Sequence, residues 1–167
     1  MGKIDDMIAA IDGLVGSNFM QAAFVDTCER CEETMLDDVR DNLMHGKGSN
    51  DVLGAPDVDL QPTYDSDPYF KGDVDRAHRY KRWKEYNFDV TAPPSDSPNL
   101  FINGTFHNSL YGKIEGDAFE IDSSVNYGQD VINKYGRARF YMSQSYYTTV
   151  FKPTLNDTII NSIRIIL

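Results

Sequence analysis

Two cysteines three positions apart, Cys28 and Cys31, are the clearest candidates for chemistry in this sequence. A structural zinc site needs four ligands, and the chain has neither a second cysteine pair nor two closely spaced histidines. A redox pair normally opens a helix, where the helix dipole lowers the thiol pKa. Both cysteines instead fall in the middle of a helical pattern, on its apolar side. We therefore predict that they are buried, reduced and free of metal.

The three histidines, His45, His78 and His107, are scattered and show no ligand spacing. The sequence contains no phosphate-binding glycine loop, no nucleophile elbow and no calcium loop. We predict no catalytic, metal-binding or cofactor-binding residues, no cofactor, and hence no enzymatic activity. A small metal-dependent domain that uses His45 with Cys28 and Cys31 is the alternative from another class.

Charge is distributed unevenly along the 167 residues. The formal net charge is −10, from 26 acidic and 16 basic side chains, and the acidic excess lies before residue 76. Acidic surfaces repel phosphate, so this half is not expected to grip nucleic acid. Residues 76–84 are basic, with Tyr80 and Trp83 among them. They could contact a phosphate backbone in a nucleic-acid-binding domain, but we expect both rings to turn inward.

A long helical pattern dominates the first 45 residues. Apolar residues recur there at steps of three and four, which is typical of an amphipathic helix with one buried face. Gly13 and Gly16 could break the pattern into two helices. The apolar stripe of the second half contains Met20, Phe24, Cys28, Cys31, Met35, Val39 and Leu43. The opposite face carries Asp26, Glu29, Glu33, Asp37 and Asp41.

The middle of the chain, residues 46–98, shows less regular patterning. A long acidic loop is expected over residues 46–75, because glycine, proline and aspartate punctuate it. A short basic and aromatic helix follows at residues 76–86. Residues 91–98 form a proline-rich linker.

Residues 99–167 predict a small antiparallel sheet and a C-terminal helix. The two strands, Phe101–Ile114 and Ala118–Val125, are joined by a turn at Gly116. In the second strand Phe119 and Ile121 alternate with Glu120 and Asp122. Alternate side chains of a strand point to opposite faces, so the two apolar residues are expected to face the core.

The remaining segments complete an α+β fold in one domain, residues 1–167. Residues 127–135 predict a helix, residues 139–151 favour a strand, and the last helix is expected to begin near Pro153. The N-terminal helix, possible break included, is expected to pack on the sheet. No run of about 18 apolar residues occurs, so neither a membrane span nor a membrane partner is expected.

Short motifs follow one another in a recognisable order over residues 83–164. On the predicted first strand they are Gly104, Phe106, Asn108, Ser109 and Leu110. The hairpin turn and the elements after it contribute Gly116, Val125, Asn126, Tyr127, Gly128, Tyr135 and Gly136. This order resembles the tail-completion or head–tail joining proteins of tailed bacteriophages. Two departures are Arg139–Met142, where the family often has Pro-Phe-Leu, and the insertion at residues 46–75.

The resemblance implies a structural virion protein, made in the host cytoplasm and located at the neck of the particle. It implies a homo-oligomeric ring, a hexamer or dodecamer, that contacts portal or adaptor proteins and tail-tube or terminator proteins. DNA would pass through the ring without specific binding. A tail terminator or another neck component is the alternative. The motif residues are then candidates for assembly, namely Gly104, Phe106, Ser109, Leu110, Tyr127, Gly128, Tyr135 and Gly136.

Acidic side chains in the first half are expected to line the channel of such a ring. A negative wall would keep phosphates away from it, whereas each basic contact would add affinity for the DNA. The candidates are Asp37, Asp41, Asp57, Asp59, Asp65 and Asp67.

Overall fold

The computed structural model describes residues 18–45, 63–88, 98–116 and 118–166, together with residues 9, 13 and 53. Its architecture is α+β, as predicted, with a long N-terminal helix, a two-stranded antiparallel sheet and a C-terminal helix. The elements are α1 (Phe19–His45), a 3-10 turn (Tyr64–Ser66), α2 (Val74–Phe88), α3 (Thr105–Asn108), β1 (Leu110–Glu115), β2 (Ala118–Ser123), α4 (Gly128–Tyr135), a second 3-10 turn (Arg137–Phe140), α5 (Gln144–Tyr146), a π-helical turn (Tyr147–Phe151) and α6 (Lys152–Ile166).

Helix α1 lies at the centre of the fold, because its apolar stripe is buried along most of its length. Cys28, Met35 and Val39 are fully buried there, as the periodicity predicts, and Met20 near the helix start is exposed. The predicted break at Gly16 lies outside the described residues, as do most of the residues before it.

The sheet is a hairpin whose two faces differ in polarity. Leu110 pairs with Ser123 at one end and Glu115 with Ala118 at the other, and Gly116 lies in the turn. Ile121 is buried and Phe119 packs on the core, which confirms the predicted alternation.

On the other face of the sheet, Lys113 Nζ lies 3.5 Å from Glu120 Oε2 and 3.6 Å from Asp122 Oδ2. Both carboxylates therefore stand on the side away from the core, where this lysine and the solvent can compensate their charge. Arg137 Nη1 adds a further ion pair to Glu120 at 3.2 Å.

The first predicted strand, Phe101–Ile114, is wrong over its first half. Gly104 has φ 81°, a left-handed conformation that a strand does not use, and α3 follows it directly. The side chain of Asn103 also accepts a hydrogen bond from the Thr105 amide at 3.1 Å, a local turn that competes with an extended chain. The strand therefore begins only at Leu110.

The strand favoured for residues 139–151 is also wrong, because this segment is helical. Ser143 caps α5, since its Oγ accepts a hydrogen bond from the Tyr146 amide at 3.0 Å. The chain then runs through the π-helical turn into α6, so the helical segment starts well before Pro153. The β preference of Tyr147, Thr148 and their neighbours is overridden by these tertiary and capping contacts.

The described core has two main clusters that share α1 and the ring of Phe119. One cluster joins the second half of α1 to the hairpin and α4, and contains Leu36, Val39, Leu43, Phe106, Leu110, Ile121, Ile132 and Phe140. The other joins the first half of α1 to the C-terminal helices, and contains Cys28, Cys31, Met35, Tyr146 and Phe151. A third, smaller cluster of Tyr64, Phe70 and Ala77 holds α2 to the 3-10 turn before it.

Candidate functional site

Several of the motif residues that carry the family resemblance are buried in or beside the hairpin. Phe106 and Leu110 belong to the core cluster around α1. Ser109 Oγ donates to the Phe106 carbonyl at 2.7 Å and lies 2.6 Å from Ser123 Oγ, which ties α3 to β2. A Cβ at Gly128 would lie 2.5 Å from the Ser123 Cβ, so α4 can approach β2 only with glycine there. These positions therefore fix the geometry of the sheet.

Two further motif residues lie near a cleft between α2 and α4. The cleft has a volume of about 620 Å³ and is lined mainly by aromatic and apolar side chains. Tyr127 stands at its edge and is exposed, while the Tyr135 hydroxyl donates to Asp67 Oδ1 at 2.9 Å. Tyr127 is therefore the motif residue best placed to contact another protein.

Trp83 departs from the inward orientation predicted for it. It lines the same cleft but is 47% exposed, and its ring stacks on Tyr80 with centroids 5.6 Å apart. Tyr80 is half-buried against Phe70, so only this ring of the pair follows the prediction. Nearly half of the indole surface therefore faces solvent at the cleft.

Of the four channel-lining candidates that the structure describes, only Asp67 is removed from the surface by the fold. It is 3% exposed, and its carboxylate accepts from the Tyr135 hydroxyl and from the Tyr69 amide at 2.8 Å. Such a group cannot present charge to a channel, so this expectation is corrected. Through its hydrogen bond with Tyr135, the carboxylate instead links the segment before α2 to the C-terminal end of α4.

The other channel-lining candidates have different surroundings. Asp65 Oδ1 lies 2.5 Å from His78 Nε2, and Asp37 and Asp41 are exposed on α1. Asp57 and Asp59 lie outside the described residues. Their place in an assembled ring stays a prediction.

A buried polar cluster joins α2 to the segment before α3. Lys84, only 5% exposed, donates from Nζ to Asn99 Oδ1, and the same oxygen accepts from the Phe101 amide at 3.1 Å. Burial lowers the pKa of Lys84 to about 8, although the Asp67 charge acts in the opposite direction. Arg139 Nη2 donates to the Pro98 carbonyl at 2.5 Å. The cluster cannot be seen in the sequence, because its members are far apart in the chain and follow no motif.

His107 belongs to the same buried region. Its Nε2 lies 2.9 Å from the Asn99 carbonyl oxygen, so Nε2 carries the proton and donates it. Burial lowers the pKa of His107 despite this hydrogen bond, and the nearby cations Lys84, Arg40 and Arg139 lower it further. The ring therefore stays neutral in the folded chain and acts as a structural donor.

This neutral histidine predicts acid sensitivity. The unfolded chain takes up a proton on His107 near pH 6.5, and the folded chain does so only at lower pH. Stability is therefore fully present above pH 6.5 and falls as the pH drops below it. Between pH 7.5 and 5.5 we expect a loss of up to about 1.4 kcal/mol in urea unfolding that the His107→Gln variant does not show. Equal losses in both proteins would contradict a neutral buried ring.

Acidic residues line one side of α1. We call this side the acidic face, and it consists of the half-buried Asp26 and the exposed Glu29, Glu33, Asp37 and Asp41. Arg40 Nη1 lies 3.1 Å from Glu33 and 2.8 Å from Asp37, and Arg30 lies 2.9 Å from Asp26. Two arginines for the four carboxylates from Asp26 to Asp37 leave this stretch of the face negative.

Exposed basic and aromatic residues line one side of α2. We call this side the basic face, and it consists of Arg76, Arg79, Arg82, Trp83 and Tyr86, with the exposed Asp75 beside them in the first turn. They share a side because residues three or four apart are neighbours on a helix. Tyr86 is 89% exposed, whereas Ala77 and Lys84 on the other side are buried. Tyrosine, tryptophan and arginine together are typical of protein interfaces.

The cysteines lie where the periodicity places them, in the core cluster that joins α1 to the C-terminal helices. Burial, with smaller contributions from the neighbouring Cys31 and Glu29, raises the pKa of the Cys28 thiol to about 12. Among the described residues, no three His, Cys, Asp or Glu side chains are grouped closely enough to hold a metal ion.

We expect the native thiols to be unreactive at pH 8. An aromatic disulfide reagent should label Cys28 and Cys31 only after unfolding, because both side chains are buried and out of its reach. Replacing either by Ala should cost roughly 1–2 kcal/mol, as other small core truncations do. Rapid labelling of the folded chain, or stoichiometric zinc in purified protein, would contradict their role as core residues.

No helix in the described part of the chain has the length and apolar content to cross a membrane. Comparison with known proteins finds no matching family model, no matching curated protein and no matching solved structure.

Proposed function

We propose that this chain is a structural protein of a tailed-phage virion, one subunit of a ring at the neck that joins the tail to the head. The observation that carries the proposal is the order of the family motifs along the chain, although Gly104 to Ser109 lie before the strand and not in it. Gly104 and Gly136, which begin and close the motif series, have φ of 81° and 85°. Such angles strongly favour glycine, so both positions are demanded by the backbone.

The architecture gives the proposal further support. The resemblance implies a long helix packed on an antiparallel hairpin and followed by a C-terminal helix, and the described elements have this order. The exposed rings of Tyr69, Trp83 and Tyr127 around the cleft provide contact area of the kind that interfaces use. A protein that works by contact needs such surfaces.

The proposed partners follow from a place at the neck. Copies of the chain form the ring, a portal or adaptor protein lies on the head side, and a tail-tube or terminator protein lies on the tail side. DNA passes through without specific binding. A tail terminator is the alternative within the same class, and it would be attached to tails before they join heads.

Particles of the phage that encodes the chain provide the test. Antibody labelling in electron micrographs is expected at the neck, and a nonsense mutation in the gene is expected to leave filled heads and tails unjoined. Supplying the protein in trans should restore joined particles. Normal particles from the mutant, or particles without the protein by mass spectrometry, would contradict the proposal. Label on free tails would favour the terminator.

A further inference from the structure

The acidic face of α1 and the basic face of α2 are complementary in charge and lie on different elements. The inner side of α1 packs on the hairpin and α6, and the inner side of α2 packs on Tyr64 and Phe70. In each helix, one side packs in the core and the opposite side carries the charged face. Every copy of the chain therefore has both faces on its surface.

We propose that the basic face of one copy docks on the acidic face of a second copy. The inference rests on the proposed function, since it names the contact between neighbouring subunits of the ring. A contact between two different patches of the same chain is heterologous, and it generates a ring when the rotation closes. The exposed rings of Trp83 and Tyr86 supply the apolar anchors, and the charges set the orientation.

The acidic face is long enough to cover the basic face. At a rise of about 1.5 Å per residue, Arg76 to Tyr86 spans about 15 Å and Asp26 to Asp41 about 22 Å. Glu29 has no ion pair among the described residues, and the carboxylate of Asp37, 65% exposed, keeps most of its surface open despite Arg40. Both are thus available to an arginine from a neighbour.

This docking gives the acidic face a role other than lining the channel. Glu33 and Asp37 would be covered by the next subunit and would not face the DNA. The two roles predict different outcomes when the charges are reversed, because a channel lining is not needed for assembly and an interface is.

Two charge-reversal variants of the full chain test the proposal. The basic-face variant carries Arg76→Glu and Arg79→Glu, and the acidic-face variant carries Glu29→Lys and Glu33→Lys. Sedimentation velocity at low and high salt measures self-association. We expect each variant alone to associate at least about tenfold more weakly than the wild type, because like charges then meet across the contact. The wild-type association should weaken in about 1 M NaCl.

Mixing the two variants is the decisive measurement. The native basic face of one then meets the native acidic face of the other, and the two reversed faces are also complementary. Association of the mixture should therefore return to within about threefold of the wild type, an effect that misfolding cannot produce. The control variant carries Lys152→Glu and Arg164→Glu at exposed positions of α6. It changes the net charge by the same amount and sign as the basic-face variant and should leave association unchanged.

Several outcomes would overturn the inference. They are a wild-type chain that stays monomeric at about 1 mM, a variant that associates normally by itself, or a mixture that does not recover. Loss of duplex DNA binding in the basic-face variant, with unchanged self-association, would assign that face to nucleic acid. Failure of the proposed function is distinguishable, because it would leave the charge-dependent association intact in a protein that particles lack.

Discussion

Replacing Ile121 with Asp is expected to prevent the chain from folding. Ile121 lies on the inner face of β2 in the core cluster with Val39, Leu110 and Ile132. A carboxylate there would lose its hydration without gaining a partner, and the apolar contacts of the isoleucine would be lost as well. The combined cost is about 4 kcal/mol or more, which is comparable with the whole stability of many domains. Circular dichroism and size-exclusion chromatography should show an unfolded or aggregated chain.

Two controls separate the effect of buried charge from other causes. Ile121→Val removes one methylene group and should cost only about 1 kcal/mol. Ile160→Asp makes the same change at an exposed position of α6 and should leave the fold intact. A well-folded Ile121→Asp protein with a normal thermal transition would show that β2 is wrongly placed.

Asp38→Ala is expected to have the second-largest effect among single substitutions. The Asp38 carboxylate accepts from the Ser143 amide at 2.6 Å and from Ser143 Oγ at 2.8 Å. It also accepts from Asn42 Nδ2 at 3.3 Å. Hydrogen bonds to a charged group contribute about 1.5–3 kcal/mol, so we expect a loss of about 2–4 kcal/mol in urea unfolding. The neighbouring substitution Asp37→Ala removes an exposed ion pair and should cost less than about 1 kcal/mol.

A double-mutant cycle with Ser143→Ala assigns that loss to the link between α1 and the cap of α5. Ser143→Ala removes the Oγ bonds to Asp38 and to the Tyr146 amide. If the two residues act together, the double variant should lose at least about 1 kcal/mol less than the sum of the single losses. Strict additivity would show that Asp38 stabilises the fold by another route.

The sequence predicts those elements whose periodicity is set by a buried face. The apolar stripe of α1 and the alternation in β2 both repeat at the period of the element, and both lie in the fold as expected. Residues 128–135 form α4 within one residue of the predicted start, with Ile132 buried. In each case the local pattern and the tertiary environment agree.

Some errors arise where a distant partner decides the structure, whereas the late start of β1 has a local cause in the turn at Asn103 and Gly104. Nothing near Ser143 in the sequence indicates that its amide donates a hydrogen bond to Asp38, 105 positions earlier. The same holds for the buried contact between Lys84 and Asn99, on the opposite side of α2 from the half-exposed Trp83. Serine ahead of a helix is a known cap, and that signal at Ser143 could have outweighed the β-branched residues behind it.

The candidate surfaces were only partly visible in the sequence. The acidic side of α1 follows from its helical spacing and is exposed as expected. The exposed side of α2 was not predicted, because exposure of Trp83 and Tyr86 depends on which side Ala77 and Lys84 bury. Amphipathic patterning is weak in a helix whose buried residues include a lysine.

The small cluster of Tyr64, Phe70 and Ala77 gives the segment 63–88 a core of its own. Its described links to the main body run through polar contacts, chiefly Asp67 to Tyr135 and Lys84 to Asn99, across the cleft. Such a segment can open as one cooperative unit while α1 and the hairpin remain folded, so its amide protons should exchange with solvent much faster than those of α1. If copies dock through the basic face of α2, as proposed above, the docking segment would then move as a unit without disturbing the central helix.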